Sequence, residues 1–247
     1  MKIVKLKNGK YKIKLNDGTT ISTYEDVILE ENILYKNDLD EEMINNINKK
    51  NNYYKIYNKT LNYILTKIRS EKEIKEYLDK QEILEQDKIK IIKKLKENKM
   101  INNESYYKSY ISDRIRLNHD GPDKIKKELI NNNIEEEKIN DELSKYNDTF
   151  YELLRKEINK KLKVNKESDY KFKQRMLNNY INKGYKKEMI LNILDDISID
   201  DLSNLKKDYL KQYNKLSKKY SDDELKFKLK NSLYQKGYKI DDINKVM

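Results

Sequence analysis

Over the first 24 residues apolar positions alternate with polar ones: Ile3, Val4 and Leu6, then Tyr11, Ile13 and Leu15, then Ile21 within Thr19–Thr23. A period of two is the mark of a strand with one face turned inward. Asn8-Gly9 and Asp17-Gly18 separate the runs. Both dipeptides suit a type I′ hairpin turn, whose two central residues need positive φ. The pattern therefore predicts a small antiparallel meander of three strands over residues 1–24. Beyond it, Glu25–Glu31 and Asp40–Lys50 read as helices, the second with Asp38 or Asp40 as N-cap and Glu41 and Glu42 in its first turn.

From about residue 53 the spacing is helical throughout, and it recurs. Ile74, Leu78 and Ile83 reappear 51 residues later as Ile125, Leu129 and Ile134. Ser168–Tyr185 matches Ser221–Tyr238 at an offset of 53, so that Phe172, Met176, Tyr180 and Gly184-Tyr185 fall on Leu225, Leu229, Leu233 and Gly237-Tyr238. Ser or Asp starts each of these helices and Gly supplies the left-handed residue that stops it. The unit reads as long helix, short capped helix, helix. It divides the chain into residues 1–52, then repeats at 53–101, 102–146, 147–197 and 198–247. One such unit cannot bury its apolar face alone, so neighbours must pack in sequence. The expected fold is mainly α: tandem three-helix repeats in an elongated array, preceded by the small β meander.

Composition narrows the function. The chain carries 54 basic and 43 acidic residues, a formal charge of +11, but 49 of the basic residues are Lys in a sequence crowded with Asn, Ile and Tyr. Such a mix is also what an AT-rich genome produces, so position says more than the total. Residues 1–50, 51–118, 119–170 and 171–247 have net charges of 0, +6, −2 and +7. The two positive segments suit nucleic acid, and a solvated lysine surface is the competing reading. There is no Cys, and His119 stands alone, which excludes disulfides, thiolate zinc sites and multi-histidine metal centres. The start lacks a signal-peptide apolar core and no run of about 18 apolar residues occurs, so a cytoplasmic protein without membrane contact is expected.

Candidate catalytic groups are scarce. Asp195-Asp196, Asp200-Asp201 and Asp222-Asp223 lie at helix ends, where carboxylates cap amides and complement the dipole; metal binding is the lesser reading. His119, beside Asp120-Gly121-Pro122, is explained by turn chemistry. No phosphate-loop, dinucleotide or hydrolase motif is present. We therefore expect no catalysis, no cofactor and no metal. Twenty-one tyrosines could stack on bases, yet Tyr63, Tyr110, Tyr185 and Tyr238 fall near apolar positions and are expected in or beside the core. Only five arginines occur, and Arg69, Arg114 and Arg116 sit at the ends of first helices. Together with Lys124, Lys126 and Lys127 they are the expected contacts to a partner or DNA, against the alternative of dipole complementation.

Along Tyr57–Ile134 the chain sets out Arg69-Ser70, Glu73 and Leu78, then Leu95, Tyr106-Tyr107, Tyr110-Ile111 and Arg114, and the helix start Gly121-Pro122. In these residues it resembles the RecX family of recombination regulators. Where the family often has Asp-Asp-x-x-Phe-Ala, this chain has Asn102-Asn103-Glu104-Ser105-Tyr106-Tyr107. The resemblance implies a monomer that binds the RecA filament and modulates it, usually as an inhibitor, with affinity for single- and double-stranded DNA. It places the protein in homologous recombination, DNA repair and the SOS response. Two other readings remain open at this point: an autonomous nucleic-acid-binding protein, and a scaffold with no DNA role.

Overall fold

The computed structural model describes residues 1–6 and 9–247, which form two compact units, Met1–Tyr106 and Tyr107–Met247. The first unit opens with strands β1 (Lys2–Lys5), β2 (Lys10–Lys14) and β3 (Thr20–Tyr24), paired antiparallel in that order. The register sets Ile3 opposite Ile13 and Ile13 opposite Ile21, so one face carries the isoleucines and Ile13 is fully buried. Of the two expected turns, Asn8 lies outside the described residues. The other is not type I′. Leu15 and Thr19 close a three-residue loop in which Gly18, at φ 90°, is the one residue with positive φ. Asp17 explains the choice, since its carboxylate accepts from both the amide and the hydroxyl of Thr19 at 2.8 Å and holds the loop one residue wider.

Helix α1 (Glu25–Glu30) and a 3-10 turn at Ile33–Tyr35 lead to α2 (Glu41–Leu65), α3 (Glu71–Asp79) and α4 (Glu85–Glu97). Asp40 caps α2 by accepting from the Met43 amide at 2.8 Å. The helix then runs unbroken through residue 53, where two separate segments were expected. Its middle is rich in Asn, a poor helix former. Buried Ile47, Tyr54, Ile56 and Tyr57 on its inner face outweigh that preference, because each buried apolar side chain contributes about 1.5–3 kcal/mol against a few tenths per residue of propensity. Ser70 and Glu73 form a reciprocal capping box at the start of α3. Ile74, Leu78, Ile91 and Leu95 complete the core with no exposure.

Helix α5 (Asn103–Asp113) begins in the first unit and ends in the second. A single π-helical turn, Arg114–Asn118, follows it, then α6 (Pro122–Asn131) and α7 (Glu136–Ser144). Two further triplets complete the chain: α8 (Asn147–Leu162), α9 (Asp169–Asn182) and α10 (Lys187–Asp195), then α11 (Asp201–Leu216), α12 (Asp222–Gln235) and α13 (Ile240–Val246). The matched positions of α9 and α12 are inward-facing: Phe172, Met176, Tyr180 and Tyr185, and Leu229, Leu233 and Tyr238, are buried, while Leu225 is half-buried. The caps are less alike. Ser168 accepts from the Lys171 amide at 3.3 Å, whereas Ser221 makes no cap bond and Asp222 next to it sits at φ 46°.

Within the second unit the triplets join by a recurring contact. The N-terminus of one middle helix docks on the C-terminal glycine of the next. Gly121, the N-cap of α6, donates its amide to the Lys183 carbonyl at 2.7 Å, and Asp123 donates to Gly184 at 3.0 Å. A Cβ on Gly121 would collide with the Gly184 backbone, and one on Gly184 with Lys124. One triplet later the Ser168 hydroxyl donates to the Lys236 carbonyl at 2.6 Å, and a Cβ on Gly237 would meet that hydroxyl. Orphan groups at helix ends, which a helix cannot satisfy internally, are here satisfied by the neighbouring repeat.

Candidate partner and nucleic-acid interface

The expected contact residues divide into engaged and free. Arg69 belongs to the first unit, where its guanidinium lies 4.3 Å from the Tyr63 ring centre and 3.4 Å from Glu73. Tyr77 stacks on the same tyrosine at 4.3 Å. Arg69 is thus a clamp on the α2–α3 corner. In the second unit Arg114 lies over Tyr110 at 4.9 Å, donates to its hydroxyl at 2.7 Å, and reaches Glu128 at 3.1 Å and buried Asp120 at 3.6 Å. Tyr110 in turn donates to Glu128 at 2.5 Å. Burial, then that carboxylate, pushes the Tyr110 hydroxyl up to about 12, so it stays protonated and donating at neutral pH. Lys124 pairs with Asp120 at 2.8 Å and Lys126 with Glu136 at 2.7 Å.

Arg116 and Lys127 are different. Both are exposed, and neither forms an ion pair among the described residues. Arg116 lies in the π-helical turn beside Leu117, which is 77% exposed. Such single-turn widenings re-aim side chains outward and are frequent at functional positions. His119 ends that turn at φ 54°, where its carbonyl accepts from the Tyr185 hydroxyl at 3.3 Å. It serves the joint between triplets. The tyrosines expected near the core are there: Tyr185 and Tyr238 are buried, Tyr63 and Tyr110 half-buried.

The richest free surface was not singled out from sequence. On α11, Lys207, Lys211 and Lys215 follow one another at single-turn spacing, all exposed and without ion pairs among the described residues. On α12, Phe227 and Tyr234 stand 62% and 60% exposed two turns apart. On α8 and at its C-cap, Arg155, Lys156, Lys160 and Lys163 line an open depression of about 950 Å³ together with Asp148 and Glu152. Helical spacing applied to charges in place of apolar residues would have found the α11 ridge. Of the acidic pairs, Asp200-Asp201 makes capping bonds: Asp200 accepts from the Leu202 amide at 3.0 Å and Asp201 from the Asp169 amide at 2.7 Å. No group of three or more metal-ligating side chains occurs among the described residues. No described helix is long and apolar enough to cross a membrane.

Residues 199–247, the triplet that carries the lysine ridge, match the family model described as the third three-helix domain of RecX. A regulatory protein RecX from Streptococcus agalactiae is 30% identical in an alignment that spans 100% of this chain and 98% of the relative. The chain belongs to the RecX family. Another RecX, from Oceanobacillus iheyensis, is 28% identical over 92% of this chain and 86% of its own. Among solved structures, a crystal structure of a regulatory protein RecX superposes with a TM-score of 0.66 at 25% identity, covering 79% of this chain and 98% of that one. RecX from Lactobacillus salivarius gives 0.53 at 26% identity, over 59% and 96%. The match to a third domain falls on the fourth helix triplet of this RecX chain. The motif residues that carried the resemblance are mostly structural. Ser70 and Glu73 cap, Leu78, Leu95 and Ile111 are fully buried, and Arg114 ties the α5 end to α6. Asn102, where the family often has Asp, still caps α5 by accepting from Ser105 at 3.0 Å.

Proposed function

We propose that the chain binds RecA nucleoprotein filaments and lowers their recombinase and ATPase activity, with weaker affinity for DNA itself, and that it does no catalysis of its own. The observation that carries this reading is the end-to-end similarity to regulatory protein RecX. The surface is consistent with it. Successive three-helix repeats, α2–α4, α5–α7, α8–α10 and α11–α13, offer several modest contacts in place of one deep site, and linked weak contacts add through effective concentration. Arg116 and Lys127 are the expected contacts left free for a partner, with the α11 ridge beside them in the reading. Arg114, Lys124 and Lys126 act by holding the π-helical turn and α6, which present Arg116 and Lys127, and Arg69 acts within the first unit by holding the α2–α3 corner.

The test is co-sedimentation of the purified chain with RecA filaments assembled on single-stranded DNA. Association that saturates at or below one chain per RecA subunit, and that exceeds binding to the DNA alone, is the expected result. Equal binding with and without RecA would support the second reading, an autonomous nucleic-acid-binding protein, which the unpaired lysines of α11 favour.

A further inference from the structure

The net charge of zero over residues 1–50 conceals a segregation. Residues 1–24 hold six lysines and a single acidic residue, Asp17, whereas residues 25–50 hold three lysines and eight acidic residues. The positive half is the sheet. Its inner face carries Ile3, Ile13 and Ile21, so its outer face carries Lys2 and Val4 of β1, Lys10, Lys12 and Lys14 of β2, and Thr20 and Ser22 of β3. Lys2 stands directly opposite Lys14 across the ladder. Lys2, Lys12 and Lys14 are all exposed and have no ion pair among the described residues. Asp17 is confined to the turn, committed to Thr19.

Like charges directly opposite each other destabilise a sheet, so this arrangement works against the fold that bears it. Lysines do blunt exposed sheet edges. That explains Lys2 on β1 but not Lys12 and Lys14 on the middle strand, whose two sides are already paired. We propose that the outer face of the N-terminal sheet is a binding surface for the phosphate backbone of duplex DNA. A polyanion relieves the repulsion and gains counterion release from each lysine it meets. Alternate residues along β2 stand about 6.6–6.8 Å apart, giving a flat row of ammonium groups with the hydroxyls of Thr20 and Ser22 beside it. Single-strand sites add exposed rings on which bases stack. This face offers none: Tyr24 is half-buried with Lys10 over its ring at 5.0 Å. The contact is therefore made to backbone, without sequence preference, and to duplex over single strand.

The inference deepens the DNA affinity in the reading above, and its test needs no RecA. Binding of the full chain to a fluorescent duplex is followed by anisotropy over a salt series, beside a variant with Lys2→Gln, Lys12→Gln and Lys14→Gln and a control of equal charge change at exposed lysines outside the proposed contacts, Lys55→Gln, Lys59→Gln and Lys67→Gln. For the sheet variant the slope of log affinity against log salt falls by about 2 to 3, near 0.9 for each lost phosphate contact. Its melting temperature stays level or rises, and Lys2→Arg, Lys12→Arg and Lys14→Arg together restore the slope. Three results would overturn the proposal: an unchanged slope, the same loss in the control, or a loss seen on single strands alone. RecA co-sedimentation of the same variants is scored separately, so failure of the regulatory reading and of this one are distinguishable.

Discussion

The hydroxyl of Ser168 donates to the carbonyl of Lys236 at 2.6 Å, across 68 positions of sequence, and so fastens the N-terminus of α9 to the C-terminus of α12. The same oxygen accepts from the Lys171 amide. One side chain therefore caps its own helix and closes the next repeat. Ser168→Ala should lower stability by about 1–2 kcal/mol, the sum of a cap and a buried hydrogen bond. Ser221→Ala, at the aligned position that makes no cap bond, should change it by less than about 0.5 kcal/mol. Urea unfolding of both variants measures the difference.

The glycine at the other joint is a sharper probe. Gly184→Ala meets a left-handed φ of 85° and the backbone of Lys124 at once. Gly18→Ala meets only the φ, of 90°, with open space around it. The loss at Gly18 should be about 1 kcal/mol, and at Gly184 about 3 kcal/mol or more, because the α6 start must also move. Equal losses would mean that the joint is soft.

Arg114→Ala and Arg116→Ala separate support from contact. Arg114 is tied to Tyr110, Glu128 and Asp120, the last nearly buried. Its loss leaves a buried carboxylate with one partner fewer, and thermal unfolding should show about 1–3 kcal/mol of destabilisation. Arg116 has no such ties, so its variant should melt within about 0.5 kcal/mol of the parent while binding RecA filaments more weakly.

Acid should loosen the first unit through Glu71. Burial alone would raise its pKa, but hydrogen bonds from Lys96 and Lys75, and their charges, outweigh that and hold it below the ordinary 4.5. A depressed carboxylate stabilises the fold above its unfolded value, and this contribution is lost as pH falls through the folded value. Glu71→Gln should therefore remove part of the stability decline below about pH 4.5, seen as a shallower acid limb in denaturation midpoints against pH.

Much of this architecture is legible in the sequence, because caps and apolar spacing act locally. The C-terminal glycines at 184 and 237, the Asp40 cap and the buried faces of α9 and α12 stand where their pattern placed them. What was not legible depends on contacts distant in sequence. The Asn-rich stretch of α2 stays helical through Ile47 and Tyr54, whose burial no local rule reports. Arg69 and Arg114 are engaged in part by local neighbours, Glu73 and Tyr110, each four positions away, while Glu128 reaches Arg114 only through the fold. The zero net charge of residues 1–50 masks the basic sheet, and the lysine ridge of α11 is carried by the spacing of charges, not of apolar residues.

The regulatory reading is tested most directly by titrating the chain into the DNA-dependent ATPase reaction of RecA on single-stranded DNA. The account predicts a progressive fall in ATP hydrolysis, complete at or below one chain per RecA subunit and weakened by Arg116→Ala. ATPase activity that stays level to a several-fold excess of the chain would contradict it.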